Sequence, residues 1–99
     1  EIPEVISNCS SLTSVVLDTN HLSGNIPASI SGLSSLVTLD LSGNNLTGEI
    51  PENFTVLPKL VKFNVSNNKL EGEIPVKLGS HFNDPSEYSG NQGLCGEPL

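Results

Sequence analysis

The chain contains no arginine and only four lysines against eleven acids, a formal net charge of -7. That balance argues against nucleic acid as a partner, because a phosphate backbone is held by basic side chains that replace its counterions. No apolar run approaches the roughly 18 residues that cross a bilayer, and no leader-like succession of charged, apolar and small residues opens the chain. If the parent is secreted or anchored, those elements are expected outside these residues. A glycine-rich phosphate loop is missing as well. His21 and His81 fall in separate parts of the sequence with neither cysteine near them, so no catalytic set, metal site or cofactor site is expected.

Cysteine is scarce: there are only two, Cys9 and Cys95. One precedes the first full strand segment and the other follows the last. At about 4.8 Å per stacked strand they should stand roughly 10 Å or more apart, past the limit of about 7 Å for bridged α-carbons. No bridge between them is expected. Cys9 reads as a small buried core residue, and Cys95 as a structural cysteine whose partner lies beyond Leu99.

What the sequence does have is a period. Asn20, Asn44 and Asn68 recur every 24 residues inside L-x-x-N-x-L-x-G-x-I-P, with Leu17, Leu41 and Val65 three residues before the Asn and Gly24, Gly48 and Gly72 four after it. Ile26-Pro27, Ile50-Pro51 and Ile74-Pro75 close the units, and Ile2-Pro3 falls one period earlier, so the chain enters inside a repeat. A fixed period of this size predicts a stack of units, each covering its neighbour's apolar layer. The units span 1–78, one partial and three of 24 residues, and 79–99 reads as a C-terminal capping segment.

Within each unit a short alternating stretch reads as a strand with one buried face: Ser14 to Leu17, Thr38 to Leu41, Lys62 to Val65. Val15, Leu17, Leu39, Leu41, Phe63 and Val65 should point inward. Ser14, Val16, Asp18, Thr38, Asp40, Ser42, Lys62, Asn64 and Ser66 should line the outer face of a parallel sheet. Asp18 and Asp40 on adjacent strands could suggest a carboxylate pair, but the third unit offers Asn64, and a regular exposed column of this kind is ordinary solvated surface. Val16, the one apolar residue of the column, points weakly to a protein or peptide contact. Asn20, Asn44 and Asn68 should turn inward as a ladder, since a carboxamide both donates and accepts and can satisfy peptide groups where the chain leaves the strand. A second extended layer is expected over L-x-G-x-I. Tight 3₁₀-like turns should follow at Ala28 to Leu33 and Glu52 to Leu57, presenting Ile30, Leu33, Phe54 and Leu57 to the core.

After Pro75 the period fails. The tail is rich in turn residues, with Leu78, Phe82, Tyr88 and Leu94 as buriable anchors, and is expected to close the last repeat. Four N-x-S/T sequons, at Asn8, Asn45, Asn53 and Asn64, favour an extracellular glycoprotein, while Asn25 fails the rule because Pro27 stands at the hydroxyl position.

These residues resemble the plant-specific class of extracellular leucine-rich repeats, whose unit is L-x-x-L-x-x-L-x-L-x-x-N-x-L-x-G-x-I-P. It stands here as Leu12, Val15, Leu17, Asn20, Leu22, Gly24, Ile26, Pro27 and again one and two periods on. The stretch from Tyr88 through Asn91 and Gly93-Leu94-Cys95-Gly96 resembles the C-terminal cap of receptor kinases and receptor-like proteins of that class. The resemblance implies an α/β solenoid with a parallel sheet on its concave face and 3₁₀-like turns on the convex side. It implies a non-enzymatic segment of a plant cell-surface receptor, on the extracellular side of the plasma membrane, with a protein co-receptor or peptide ligand as partner. On that footing Lys62, Asn64, Ser66 and the cap around Tyr88 are the partner-facing candidates, with Asp18 and Asp40 nearer any ligand. The family's paired-cysteine N-terminal cap and the cysteine that usually follows Gly-Leu-Cys-Gly are both missing, so both ends look truncated. Two other readings share the repeat: a secreted inhibitor of a cell-wall-degrading enzyme, and a structural spacer.

Overall fold

Three short strands built from the alternating stretches pair in parallel, β1 (Ser14–Val16), β3 (Thr38–Asp40) and β5 (Lys62–Asn64). The computed structural model describes residues 2, 4–9 and 11–99, without the side chains of Glu4, Ser7 and Val56. Glu1 and Pro3 of the opening partial repeat lie outside the described residues. Register in this sheet follows the sequence period, Val15 beside Leu39 beside Phe63, and each of these is buried while its strand neighbours face solvent in whole or part. A slip by one residue would turn every apolar side chain outward, so burial alone fixes the pairing.

A second parallel sheet flanks the first in the order β2 (Ser23–Asn25), β4 (Asn45–Gly48), β6 (Lys69–Glu73) and β7 (Gly93–Cys95). Here the partners are 22 residues apart, Ser23 with Asn45 and Thr47 with Lys69, not 24. Displacement by two residues preserves the alternation, and Leu46 and Leu70 stay fully buried. Left-handed glycines at Gly24, Gly48 and Gly72, φ 83, 81 and 85°, recur within this layer, a conformation that glycine alone adopts without strain.

The convex side carries 3₁₀ turns at Glu4–Asn8, Ala28–Gly32 and Glu52–Val56. Each of the last two begins after an extended proline, whose fixed φ suits a turn entry. Ile30, Leu33, Phe54 and Leu57 are buried from this side, as the sequence predicts. In the third unit the turn lengthens to one α-helix, α1 (Val76–His81), which sends Leu78 and the following Phe82 inward.

The core runs unbroken from Ile2 to Leu94 between these layers. Its C-terminal third is aromatic: Phe63 meets Phe54, Phe82 and Tyr88 at ring centroid distances of 6.4, 5.4 and 5.9 Å. Side chains of this size contribute most of the area a small core can bury. Leu78, Phe82, Tyr88 and Leu94 are all buried and anchor the tail.

The tail does more than cover the end. Leu17 N–H donates to Asp40 O at 2.8 Å and Leu41 N–H to Asn64 O at 2.9 Å; Val65 N–H then donates to Glu87 O at 2.9 Å. Thr19, Gly43 and Asn67 N–H groups reach Ser42, Ser66 and Ser89 carbonyls in the same way. The tail thus takes the next place in the stack, although its spacing departs from the 24-residue period. Tyr88-Ser-Gly-Asn91 stands where the other units have Leu-x-x-Asn or Val-x-x-Asn.

Candidate partner-binding face

The asparagine ladder sets the rigidity of the concave side. Asn44 Nδ2 donates to Leu17, Leu41 and Ser42 carbonyls at 3.0, 3.1 and 3.2 Å while its Oδ1 accepts from Leu22 N–H at 3.1 Å. Asn68 repeats this set on Leu41, Val65, Ser66 and Leu46, and Asn91 on Val65, Tyr88, Ser89 and Leu70. All three are buried. Asn91 was not anticipated as a member; the Tyr88-x-x-Asn91 spacing was the available signal. Asn20 departs from the inward expectation: it is exposed, and its Nδ2 reaches only the nearby Leu17 and Asp18 carbonyls. No earlier concave strand among the described residues lies behind it to receive the backward bond.

On this scaffold the strand side chains form rows. Register places Val16, Asp40 and Asn64 side by side, and the Val65 to Glu87 bond carries the row into the tail at Glu87. A parallel row holds Ser14, Thr38 and Lys62. Val16 is 53 % exposed, Lys62 is exposed, and Asp40, Asn64 and Glu87 are half-buried. Thr38, Asp40, Lys62, Asn64, Asp84 and Glu87 line an open depression of ≈ 360 Å³ over β3, β5 and the tail, in which Lys62 is the one cation.

Three expected members of this face sit elsewhere. Asp18 is exposed, but Asp40 stands level with Val16, so the two aspartates do not share a row. Ser66, expected outside, is only 6 % exposed. Its hydroxyl and N–H both donate to Asn64 Oδ1, at 2.7 and 2.9 Å, and this turn draws the short side chain inward. Tyr88, expected to face a partner, is 0 % exposed, and its hydroxyl donates to Phe82 O at 2.8 Å. It occupies the inward position of its unit.

Charge in the tail is set by one capping turn. Asp84 accepts from Ser86 N–H at 3.0 Å and Oγ at 2.8 Å, which holds its carboxyl below its ordinary value. Asp84 N–H donates back to Glu87 Oε1 at 3.2 Å, completing a capping box around Pro85–Glu87. Partial burial pushes the Glu87 carboxyl up, opposed by that hydrogen bond and reinforced by the Asp84 charge. Burial and the neighbouring Glu87 also push the Tyr88 hydroxyl well above its usual range.

Cys9 is exposed, not buried, because the chain leaves its 3₁₀ turn at that point. Cys95 is also exposed and unbridged, its thiol 3.5 Å from Gly72 O on the outer edge strand β7. Both histidines are exposed, and His81 packs edge-on against Phe82 at 4.6 Å. Among the described residues no group of three or more His, Cys, Asp or Glu could hold a metal ion, and no helix is long and apolar enough to cross a membrane.

A family model for the leucine rich repeat matches residues 5–70. The chain belongs to the leucine-rich repeat family. This leucine-rich repeat chain is similar over all its length to the BIR2 ectodomain of Arabidopsis thaliana, with 42 % identity and a TM-score of 0.95, and spans 52 % of that protein chain. It is similar, at 41 % identity and a TM-score of 0.94, to the ectodomain of the plant membrane receptor kinase GASSHO1/SCHENGEN3 from Arabidopsis thaliana, covering 100 % of this chain and 12 % of that one. For Pollen Receptor Kinase 3 the values are 42 % and 0.86, over 99 % of this chain and 48 % of the other. A comparison with curated proteins gives no match. The fold is therefore that of the plant leucine-rich repeat ectodomains, with the parallel strands and 3₁₀ turns that the sequence predicts.

Proposed function

We propose that this chain is part of the extracellular portion of a plant cell-surface receptor and recognises a protein co-receptor or a peptide through its concave strand face. It acts by binding, and its signalling output and membrane anchor belong to the parent outside these residues. In this reading 1–78 form the recognition repeats and 79–99 the cap that extends the same face. The observation that carries it is the row Val16, Asp40, Asn64 and Glu87 with Lys62 beside it, a solvent-open surface on a backbone that the asparagine ladder already satisfies. Related ectodomains are solved in complexes: GASSHO1/SCHENGEN3 with Casparian strip integrity factor 2, HAESA with the peptide hormone IDA and the co-receptor SERK1, and BIR3 with SERK2.

The test is co-purification of the full-length parent from plant membranes, wild type against Lys62→Glu, read by mass spectrometry. Loss of one receptor kinase or peptide from the variant, with the parent's abundance unchanged, supports the reading. An unaltered partner set removes this face from recognition and leaves a spacer.

A further inference from the structure

The four sequons are not equivalent in the fold, and the repeats supply an internal control for each. Asn64 and Ser66 stand where the preceding unit has Asp40 and Ser42, and the hydrogen bonds are the same: Ser42 N–H and Oγ reach Asp40 Oδ1 at 3.0 and 2.7 Å, as Ser66 reaches Asn64 at 2.9 and 2.7 Å. Asp84 and Ser86 make the same hydrogen bonds at a different place, the N-cap of the Pro85–Glu87 turn. Of the two strand-end turns only one is a sequon, so Asx-x-Ser at this place is a strand-end device whose acceptor can be either Asp or Asn. Ser66 is buried, and Asn64 lies in mid-row, flanked at roughly one strand spacing, about 4.8 Å, by Asp40 and Glu87.

Asn45 and Asn53 lack any such scaffold duty. Asn45 and Thr47 fall at exposed positions where the other units carry His21 and Ser23 or Lys69 and Glu71, and the Thr47 hydroxyl makes only an exposed bond of 3.3 Å to Asn25 Oδ1. Asn45 opens β4 with its side chain to solvent, on the flank away from the concave rows. Asn53 and Thr55 are exposed on the convex turn Glu52–Val56, and the single bond of the Asn53 carboxamide, to Ala28 O, is 3.4 Å long. The Asn8 sequon includes Ser10, which lies outside the described residues.

We infer that N-linked oligosaccharides are carried at Asn45 and Asn53 and that Asn64 is left bare. The flank and the convex side are then clothed in sugar and the concave row stays open. In the transfer, Asn Nδ2 forms a bond to the anomeric carbon of an oligosaccharide on a lipid-linked pyrophosphate donor. That carbon's bond to the pyrophosphate oxygen breaks, and one amide proton leaves with the pyrophosphate. Passage through the secretory route is taken from the reading above, so the experiment imposes that route and tests the pattern of sites alone.

The full chain is expressed behind a leader in plant cells and deglycosylated with a peptide N-glycosidase in ¹⁸O-water. Cleavage after Asp, Glu and Lys, made before the deglycosylation so that no newly formed aspartate is cut, yields peptides 41–49, 53–59 and 63–69, which separate the three sites. The expected result is ¹⁸O-aspartate at Asn45 and Asn53 and unlabelled asparagine at Asn64. Label at Asn64 overturns the inference, as does its absence at either of the other two. A gel-mobility series with Asn45→Gln and Asn53→Gln, each expected to remove one glycan step, and Ser66→Ala, expected to remove none, checks the pattern independently. A step lost with Ser66→Ala, or none with either glutamine variant, equally overturns it. Failure of the native parent to reach the cell surface would defeat the receptor reading and leave this pattern standing.

Discussion

Asn68 reaches back 27 residues to donate to Leu41 O at 2.9 Å while accepting from Leu46 N–H at 3.1 Å, so one carboxamide ties two consecutive units at the point where the chain leaves the strand. Replacing it with alanine strands a buried N–H and removes the partner of several buried carbonyls. At about 1 to 3 kcal/mol per unsatisfied group, Asn68→Ala should cost roughly 3 kcal/mol or more. Asn20→Ala, in an exposed side chain with local bonds only, should cost under about 1 kcal/mol. Urea unfolding of the two variants measures the contrast, and equal losses would mean that the ladder does not carry the stack.

Tyr88→Phe keeps the ring among Phe63 and its neighbours and removes only the hydroxyl that donates to Phe82 O. The loss should be about 1 kcal/mol, whereas Tyr88→Ala, which empties an aromatic site in the core, should cost about 3 to 5 kcal/mol. Thermal or urea unfolding reads both. Because the side chain is buried, partner association of the Tyr88→Phe protein should match wild type, which a partner-contact role would not allow.

The repeat, both extended layers, the convex turns and the inward ladder at Asn44 and Asn68 were legible because each follows from a spacing that burial enforces. Asn91 escaped because the tail shortens the interval from Asn68 by one residue and replaces the expected aliphatic with Tyr88, so a strict 24-residue frame passes over it. Ser66 was misplaced for a different reason. Alternation describes where a strand side chain points, but β5 has ended by Ser66, and a hydroxyl two residues after an Asx acceptor turns toward it. Asn20 and Cys9 depend on what lies on the N-terminal side of the first strand, which no pattern within a unit specifies. The candidate face was half legible: its strand residues could be read, while the extension through Asp84 and Glu87 needed the fold of the tail.

Glu87 gives the tail a pH dependence of definite sign. Its carboxyl is raised from an ordinary 4.5, chiefly by burial, so the folded state binds its proton more tightly than the unfolded chain. Stability from this group therefore rises as pH falls from neutral through the raised value toward 4.5. Asp84, lowered from 3.8, acts in the opposite sense and in a separate window, its contribution being lost only as pH falls below 3.8. Glu87→Gln retains an acceptor for Asp84 N–H and removes the first effect. Urea midpoints at about pH 7 and about pH 5 should differ less in Glu87→Gln than in wild type; an unchanged difference would assign the dependence to another group.

Lys62 is the one cation in a depression whose other charged lining residues are Asp40, Asp84 and Glu87, so a partner seated there meets its ammonium with a carboxylate or carbonyl and keeps its own cations for the acids. Lys62→Arg preserves that donor, whereas Lys62→Glu leaves the depression with acids as its only charged groups and sets like charges against the partner's acceptor. The side chain is exposed, so folding stability should move by no more than about 0.5 kcal/mol in either variant. Partner affinity should fall about tenfold or more in Lys62→Glu and hold in Lys62→Arg, and the loss should shrink as salt is raised, because exposed charges are screened over about 10 Å at 0.1 M. Calorimetry or surface binding of the captured partner at two ionic strengths measures this. A Lys62→Glu protein that folds and binds as wild type would move recognition off the strand face.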